Sequence, residues 1–283
     1  MRAIASAKRL CSLTGAQCSI VWDWGDYRAL FVDDTPWMPY RLPMDSAKDL
    51  IVAGYYHIRH LRQHEGGNKE NRRVPITTHP RVVVSSWFVF YAAEEALFQT
   101  RLYEEPVLEW FPKPHPLILE KVNDFKQAHF GPSTVGIHIR RTDHTLASSR
   151  APDAAYFEEA DRLVDEGYRL FVATDNGKTL RLMEERYGDK LIHYPKSSAL
   201  EERWPRDKWD LTDLIDDIAD LWLLASCEFV IGSAASSYSR VAMLLNGSPL
   251  CKAIDRPSAF GKLQDALFRI RRLHSRLGAG PSG

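Results

Sequence analysis

The residues best suited to chemistry stand together in His138-Ile139-Arg140-Arg141-Thr142-Asp143, at the end of the run 134–140. Val135, Ile137 and Ile139 alternate with Gly136, His138 and Arg140, the period-two pattern of a strand. A strand in a doubly covered sheet should be apolar on both faces. A histidine and an arginine there are costly unless a cleft or an anion satisfies them. Arginine offers a planar fork of donors suited to phosphate oxygens. The structural alternative is an Arg–Asp network that pins the strand end. Two adjacent arginines and a histidine exceed what Asp143 alone could pair, so we read a strand-end anion site.

Two more segments have the same character. Thr174-Asp175-Asn176 follows apolar Phe171-Val172-Ala173. Gly232-Ser233-Ala234-Ala235-Ser236-Ser237 runs from an apolar strand into a helix. Small residues let backbone N–H groups approach a ligand, and the helix that follows turns its positive end toward it. Ser236 as a plain N-cap is the competing explanation, and Asp and Asn also open turns and helices. Asp213, Asp216, Asp217 and Asp220 fall along one side of an amphipathic helix, a pattern that predicts a solvated face.

Other chemistries fail on spacing. Gly177-Lys178-Thr179 resembles the end of a P-loop, but the required earlier glycine is Val172. His64-Glu65-Gly66-Gly67-Asn68 lacks the second histidine of a zinc protease. His57, His60 and His64 lie in a basic stretch with Arg59, Arg62, Lys69, Arg72, Arg73 and Arg81, which reads as surface or acceptor-side charge, not as a metal or nucleic-acid site. There is no D-x-D pair, so no metal site and no cofactor is expected. If a diphosphate leaves here, arginine must take up its charge.

Elements that could position these groups follow from the periodicity. From about residue 133 strands and helices alternate: strand 134–140, helix 152–166, strand 168–173, helix 177–187 and strand 190–194. After a Trp-containing loop at 195–210 come helix 211–226, strand 228–232, helix 236–246 and strand 249–252. Short apolar strands between amphipathic helices predict an α/β fold with a parallel sheet covered on both faces. Ligands of such sheets bind beyond the carboxyl ends of the strands, where all three polar segments fall. The first half predicts helix 2–14 closed by Gly15, strand 18–22, a loop over 23–45, strand 81–85 and helices near 92–100 and 116–130. Gly131-Pro132 suggests a hinge between a domain over 1–131 and one over 132–256. A C-terminal helix over 257–277 and a disordered tail over 278–283 complete the expected organisation.

Bulk properties narrow the class. The 283 residues are 45% hydrophobic and 26% charged, with 37 basic and 37 acidic side chains. Zero net charge gives no overall pull toward nucleic acid. Cys11, Cys18, Cys227 and Cys251 form no C-x-x-C and read as reduced core thiols of a cytoplasmic protein. No run of about 18 apolar residues and no signal peptide occurs, which leaves peripheral membrane contact open. A chain that opens directly on a helix, without the strand that would feed it, reads as clipped at its start.

The H-x-R-R-T-D run, the A-T-D-N after a strand, and D-L-W-L-L-A-S-C-E-F-V-I-G-S-A-A-S-S-Y-S-R together resemble the GDP-fucose-dependent fucosyltransferases, above all the α1,6-type and bacterial nodulation-type enzymes. The motifs come in family order over about 135–245. The resemblance implies a GT-B architecture of two Rossmann-like domains, here without the family's first strand and G-x-G-N-R loop. It implies an inverting, metal-independent transfer from GDP-fucose, as donor substrate, to a glycan acceptor. Carried over, Arg140 binds the β-phosphate and supports the departing GDP. His138 and Asp220 read the guanine, Ser236 with Ser237 serves the diphosphate, and Arg141, Asp143 and Asp175 complete the motif. The α1,6-type enzymes place a glutamate five residues beyond the motif Asp, where this chain has Ser148. Asp143 and His144 are therefore the candidate bases. A transferase for another nucleotide sugar and a catalytically silent nucleotide- or glycan-binding protein are the alternatives. The sequence names neither the acceptor nor the oligomeric state.

Overall fold

The computed structural model describes residues 2–15, 17–22, 27–39, 49–53, 73–74, 81–85, 91–92, 108–142, 145–200, 210–256 and 262. Two compact units, Met1–Leu119 and Glu120–Gly283, divide the chain. The division falls earlier than Gly131-Pro132, where the sequence suggests a hinge. There the hydroxyl of Thr134 accepts from the Gly131 N–H and donates to the Gly131 carbonyl, both at 3.0 Å.

In the first unit, α1 (Arg2–Thr14) is followed by β1 (Ile20–Trp22), which pairs in parallel with β3 (Trp37–Pro39). The expected loop at 23–45 is not all loop, because α2 (Tyr27–Leu30) and β2 (Phe31–Val32) lie within it. Tyr27, Leu30 and Phe31 are buried, and that apolar triplet outweighs the surrounding turn residues. Asp33 closes the segment by accepting from Tyr27 Oη (2.9 Å), Lys8 Nζ (3.0 Å) and the Thr35 N–H (3.0 Å). The four cysteines carry free thiols. Further strands are β4 (Asp49–Ala53), β5 (Arg73–Val74), β6 (Arg81–Ser85), β7 (Tyr91–Ala92) and β8 (Lys113–Pro114). β4 pairs with β6 and β5 with β7, both in parallel, and β2 pairs antiparallel with β8. The expected helix at 92–100 apart from Ala92, which lies in β7, the basic stretch apart from its strand residues, the helix at 257–277 apart from residue 262, and the tail lie outside the described residues.

The second unit is the expected α/β core. Helix α3 (Pro116–His129), which begins in the first unit, leads to β9 (Thr134–Ile139). Then come α4 (Thr145–Arg150), α5 (Asp153–Asp165), β10 (Arg169–Thr174), α6 (Gly177–Tyr187) and β11 (Leu191–Ile192). After these come α7 (Leu211–Ala225), β12 (Val230–Ser233), α8 (Ser237–Asn246) and β13 (Lys252–Ile254). The five strands are parallel in the order β11-β10-β9-β12-β13. The chain winds outward from β9 through β10 to β11, then crosses back to lay β12 against the other side of β9. This is the doubly wound order, and its switch point lies between β9 and β12.

Alternation along β9 splits its residues between two layers. Val135, Ile137 and Ile139 join a buried cluster with Tyr156, Ala160 and Leu163 of α5 and Met183 and Tyr187 of α6. Gly136 faces the opposite layer, where an added Cβ would lie 3.0 Å from Leu224 Cδ2 and 3.2 Å from Cys227 Sγ. The glycine lets α7 pack directly on the strand. Phe171 of β10 closes the same layer against Phe130 at 5.1 Å between ring centroids.

One strand is shifted from its expected place. The sequence reads 249–252 as extended, but β13 is Lys252–Ile254. Gly247 ends α8 in the left-handed region at φ 73°. The Asn246 amide donates to Ala225 O (3.1 Å) and Cys227 O (2.6 Å) while its oxygen accepts from the Ser248 N–H (3.1 Å). The chain must turn through Ser248–Leu250 before it can pair.

Candidate functional site

The site lies at the carboxyl edge of β9, β10 and β12, around the switch point. Register sets Gly232 of β12 beside His138 of β9 and Thr174 of β10 beside Ile139. At Gly232 an added Cβ would lie 2.5 Å from Ser239 Oγ and 2.6 Å from Ser239 Cβ. Only glycine lets α8 come this close to the strand, and that approach brings Ser239 to His138.

His138 is buried, with 4% of its surface exposed. Its Nδ1 is 2.6 Å from Ser239 Oγ, which also accepts the Ser233 N–H at 3.1 Å. With one lone pair given to Ser233, the hydroxyl proton is available to Nδ1, which favours the tautomer with hydrogen on Nε2. The imidazole stacks on Tyr238 at 4.6 Å and 27°. Burial, then the positive charge of Arg140, lower its pKa to about 3, so it is neutral at physiological pH.

Arg140 follows the last residue of β9. Its Nε lies 3.2 Å from Asp175 Oδ2. Asp175 also accepts the Arg141 N–H (2.7 Å), the Thr142 N–H (3.2 Å) and Thr142 Oγ1 (2.5 Å). Burial alone would raise its pKa, but the Arg140 charge and these donors outweigh it and hold the carboxyl below its ordinary value. Asp175 thus brackets the turn after β9 and aims Arg140. It is built as a positioning carboxylate.

Arg141 does different work from its neighbour. Its Nε donates to Asp153 Oδ1 (2.7 Å), Nη1 to Arg140 O (2.9 Å) and Nη2 to Ala151 O (2.9 Å), and its guanidinium lies 5.2 Å from the Tyr156 ring centroid. The two arginines therefore divide into one held at the strand edge and one tied into α5. Ser236 is the N-cap of α8, accepting the Ser239 N–H at 3.4 Å, and Ser237 is exposed at the start of that helix. Ser148 donates to Arg140 O and Arg141 O, each at 3.3 Å, and so braces the same turn. Asp143 and His144 lie outside the described residues.

The aspartates of α7 are not a solvated face. Asp213, Asp216 and Asp220 are 4%, 2% and 4% exposed. The segment after β11 covers two of them: the Ser197 N–H donates to Asp216 Oδ2 at 2.6 Å, Lys196 Nζ donates to Asp216 O at 3.1 Å, and Lys196 pairs with Asp220 Oδ2. Charge patterning along one helix carries no information about a loop folding over it. Lys196, Tyr238 and Ser239 were invisible for related reasons. A lone loop lysine has no spacing signal, and Tyr238 and Ser239 read as ordinary first-turn residues. Among the described residues no group of His, Cys, Asp and Glu side chains converges to hold a metal ion, and no helix is long and apolar enough to cross a membrane.

No family model matches the chain, and no curated protein does. Solved structures do. NodZ α-1,6-fucosyltransferase soaked with GDP-fucose is 16% identical over 86% of each chain, with a TM-score of 0.51. Fucosyltransferase NodZ from Bradyrhizobium gives the same values. A variant of Arabidopsis thaliana FUT1 in complex with GDP is 13% identical over 90% of this chain and 67% of its own, with a TM-score of 0.58. These likenesses show the fold: an α/β architecture of the GT-B kind, with a five-stranded parallel sheet.

Proposed function

We propose that this chain is a glycosyltransferase that moves fucose from GDP-fucose to a hydroxyl of a glycan, by an inverting, metal-independent route. Arg140 carries this reading: a guanidinium fixed by an ionised Asp175 at the switch point of a doubly wound sheet, where such sheets bind nucleotides. GDP-fucose and GDP, the ligands of the similar structures, support the same donor.

In this mechanism Arg140 binds the β-phosphate and stabilises the charge that grows on GDP as the glycosidic bond breaks. Ser236 and Ser237, at the positive end of α8, serve the diphosphate. His138, neutral and stacked on Tyr238, and Asp220 read the base. A base takes the acceptor proton as that oxygen attacks the anomeric carbon. Asp143 is our candidate, with His144 second, because Ser148 stands at the position of the family glutamate. Four free thiols are consistent with a cytoplasmic setting.

GDP release from GDP-fucose over a panel of N-acetylglucosamine-containing acceptors tests the assignment. Arg140→Ala should lower turnover by about 100-fold or more. Near-wild-type turnover in that variant would remove Arg140 from the mechanism. Wild type that binds GDP-fucose yet never releases GDP would favour the silent binding protein that Ser148 suggests.

A further inference from the structure

Lys196 is a buried charge that the proposed mechanism does not use. Its side chain is 10% exposed, deep for a lysine, and it stands on Asp220, whose side chain is 6% exposed. It also lies 3.5 Å from Asp217 Oδ1, 3.1 Å from Asp216 O and 5.8 Å from the Tyr194 ring centroid. Tyr238 joins this group to the strand edge. Its ring stacks on His138 while its hydroxyl donates to Asp217 O at 2.6 Å. His138, Tyr238, Asp217, Asp220 and Lys196 are therefore one contiguous patch.

The patch has the polarity of a base edge in reverse. Guanine presents, in a row, the N2 amino group, N1–H and the O6 carbonyl. A carboxylate complements the first two and a donor beside it complements the third. Adenine presents an amino group in place of O6 and an acceptor at N1, so it would set donor against donor and acceptor against acceptor. We infer that Lys196 is a specificity-determining residue that donates to O6 of the guanine whose N1–H and N2–H Asp220 accepts. This rests on the guanine reading proposed above. The ammonium is satisfied by α7, so binding of a guanine exchanges one of its three donors to O6 and leaves the Asp220 pair in place. The competing role is structural: Lys196 would only neutralise the acids of α7 and hold the segment after β11.

Calorimetric titration separates these roles. Wild type and Lys196→Met are each titrated with GDP, 6-thio-GDP, ADP and UDP at slightly acidic pH, where the thio analogue keeps N1–H but offers a weak acceptor at position 6. Wild type should prefer GDP over 6-thio-GDP by about tenfold, and Lys196→Met should lose affinity for GDP and bind the two alike. Wild type that binds GDP and 6-thio-GDP equally overturns the inference without recourse to any variant, whether or not Lys196→Met folds. A Lys196→Met protein that keeps the preference also overturns it, because another group then reads O6. Wild type that favours ADP or UDP over GDP instead removes the guanine reading on which the inference stands.

Discussion

Asp175→Asn is the substitution that most sharply tests how the strand edge is built. The carboxylate accepts from Arg141 N–H, Thr142 N–H and Thr142 Oγ1, and it pairs with the guanidinium of Arg140, whose Nε is 3.2 Å from Oδ2. The carboxamide keeps one acceptor oxygen and turns an amino group toward donors on the other side. Hydrogen bonds to a charged group contribute about 1.5–3 kcal/mol, and a stranded donor costs about 1–3 kcal/mol. With 17% of the side chain exposed, water repairs part of the damage. The expected loss is about 2–4 kcal/mol at neutral pH, measured by urea unfolding. The folded-state pKa of Asp175 is below its unfolded value. Its stabilisation is therefore complete above about pH 4 and is lost as pH falls through the lower folded value, so the two proteins converge in acid. Binding gives the second readout. If Asp175 acts by aiming Arg140, affinity for GDP should fall about tenfold while affinity for guanosine, which has no phosphate, should hold. Equal losses for GDP and guanosine, or a stability difference that persists unchanged in acid, would refute the bracket.

Arg141→Lys replaces a guanidinium engaged through Nε, Nη1 and Nη2, so it should cost about 1–3 kcal/mol in urea while leaving the affinity for GDP within about threefold. Gly232→Ala forces Cβ to 2.5 Å from Ser239 Oγ and should destabilise by about 1–3 kcal/mol in the same assay, with weaker guanine binding because Ser239 orients His138. His138 has a folded pKa of about 3, below its unfolded value, so the native state takes up fewer protons than the unfolded chain in acid. Wild-type stability should decline from about pH 6.5 downward, and His138→Gln should flatten that slope in a pH series of urea midpoints.

The legible part of this protein was the part encoded by local periodicity. The strand carrying Val135, Ile137 and Ile139, and the α7 stripe that includes Leu214 and Leu221, follow from burial patterns that any neighbouring layer would impose. The strand-end cluster was legible too, because polar residues at the ends of apolar strands report position as well as chemistry. What sequence could not assign was the division of labour. Arg140 and Arg141 are identical in type and adjacent, and only the placement of α5 decides which one Asp153 captures. The first half was harder because its segments are short: Tyr27 to Val32 carries a helical turn and a two-residue strand too brief for a period to register.

The aspartates of α7 show why such errors gather at sites. A helix face with four acids looks solvated because water is the cheapest partner for a charge. Here Asp213, Asp216 and Asp220 are buried and a lysine is buried with them, an arrangement that a fold needing only stability would replace with apolar packing. Breaking such a pair by removing one partner typically costs about 3–5 kcal/mol, whereas removing both costs far less. Asp220→Leu with Lys196→Met should therefore be more stable in urea than Asp220→Leu alone, yet no better at binding GDP. A double variant that regained GDP affinity along with stability would show that the acids and the lysine serve the fold alone. One that regained only stability would mean that their charge is kept for a ligand.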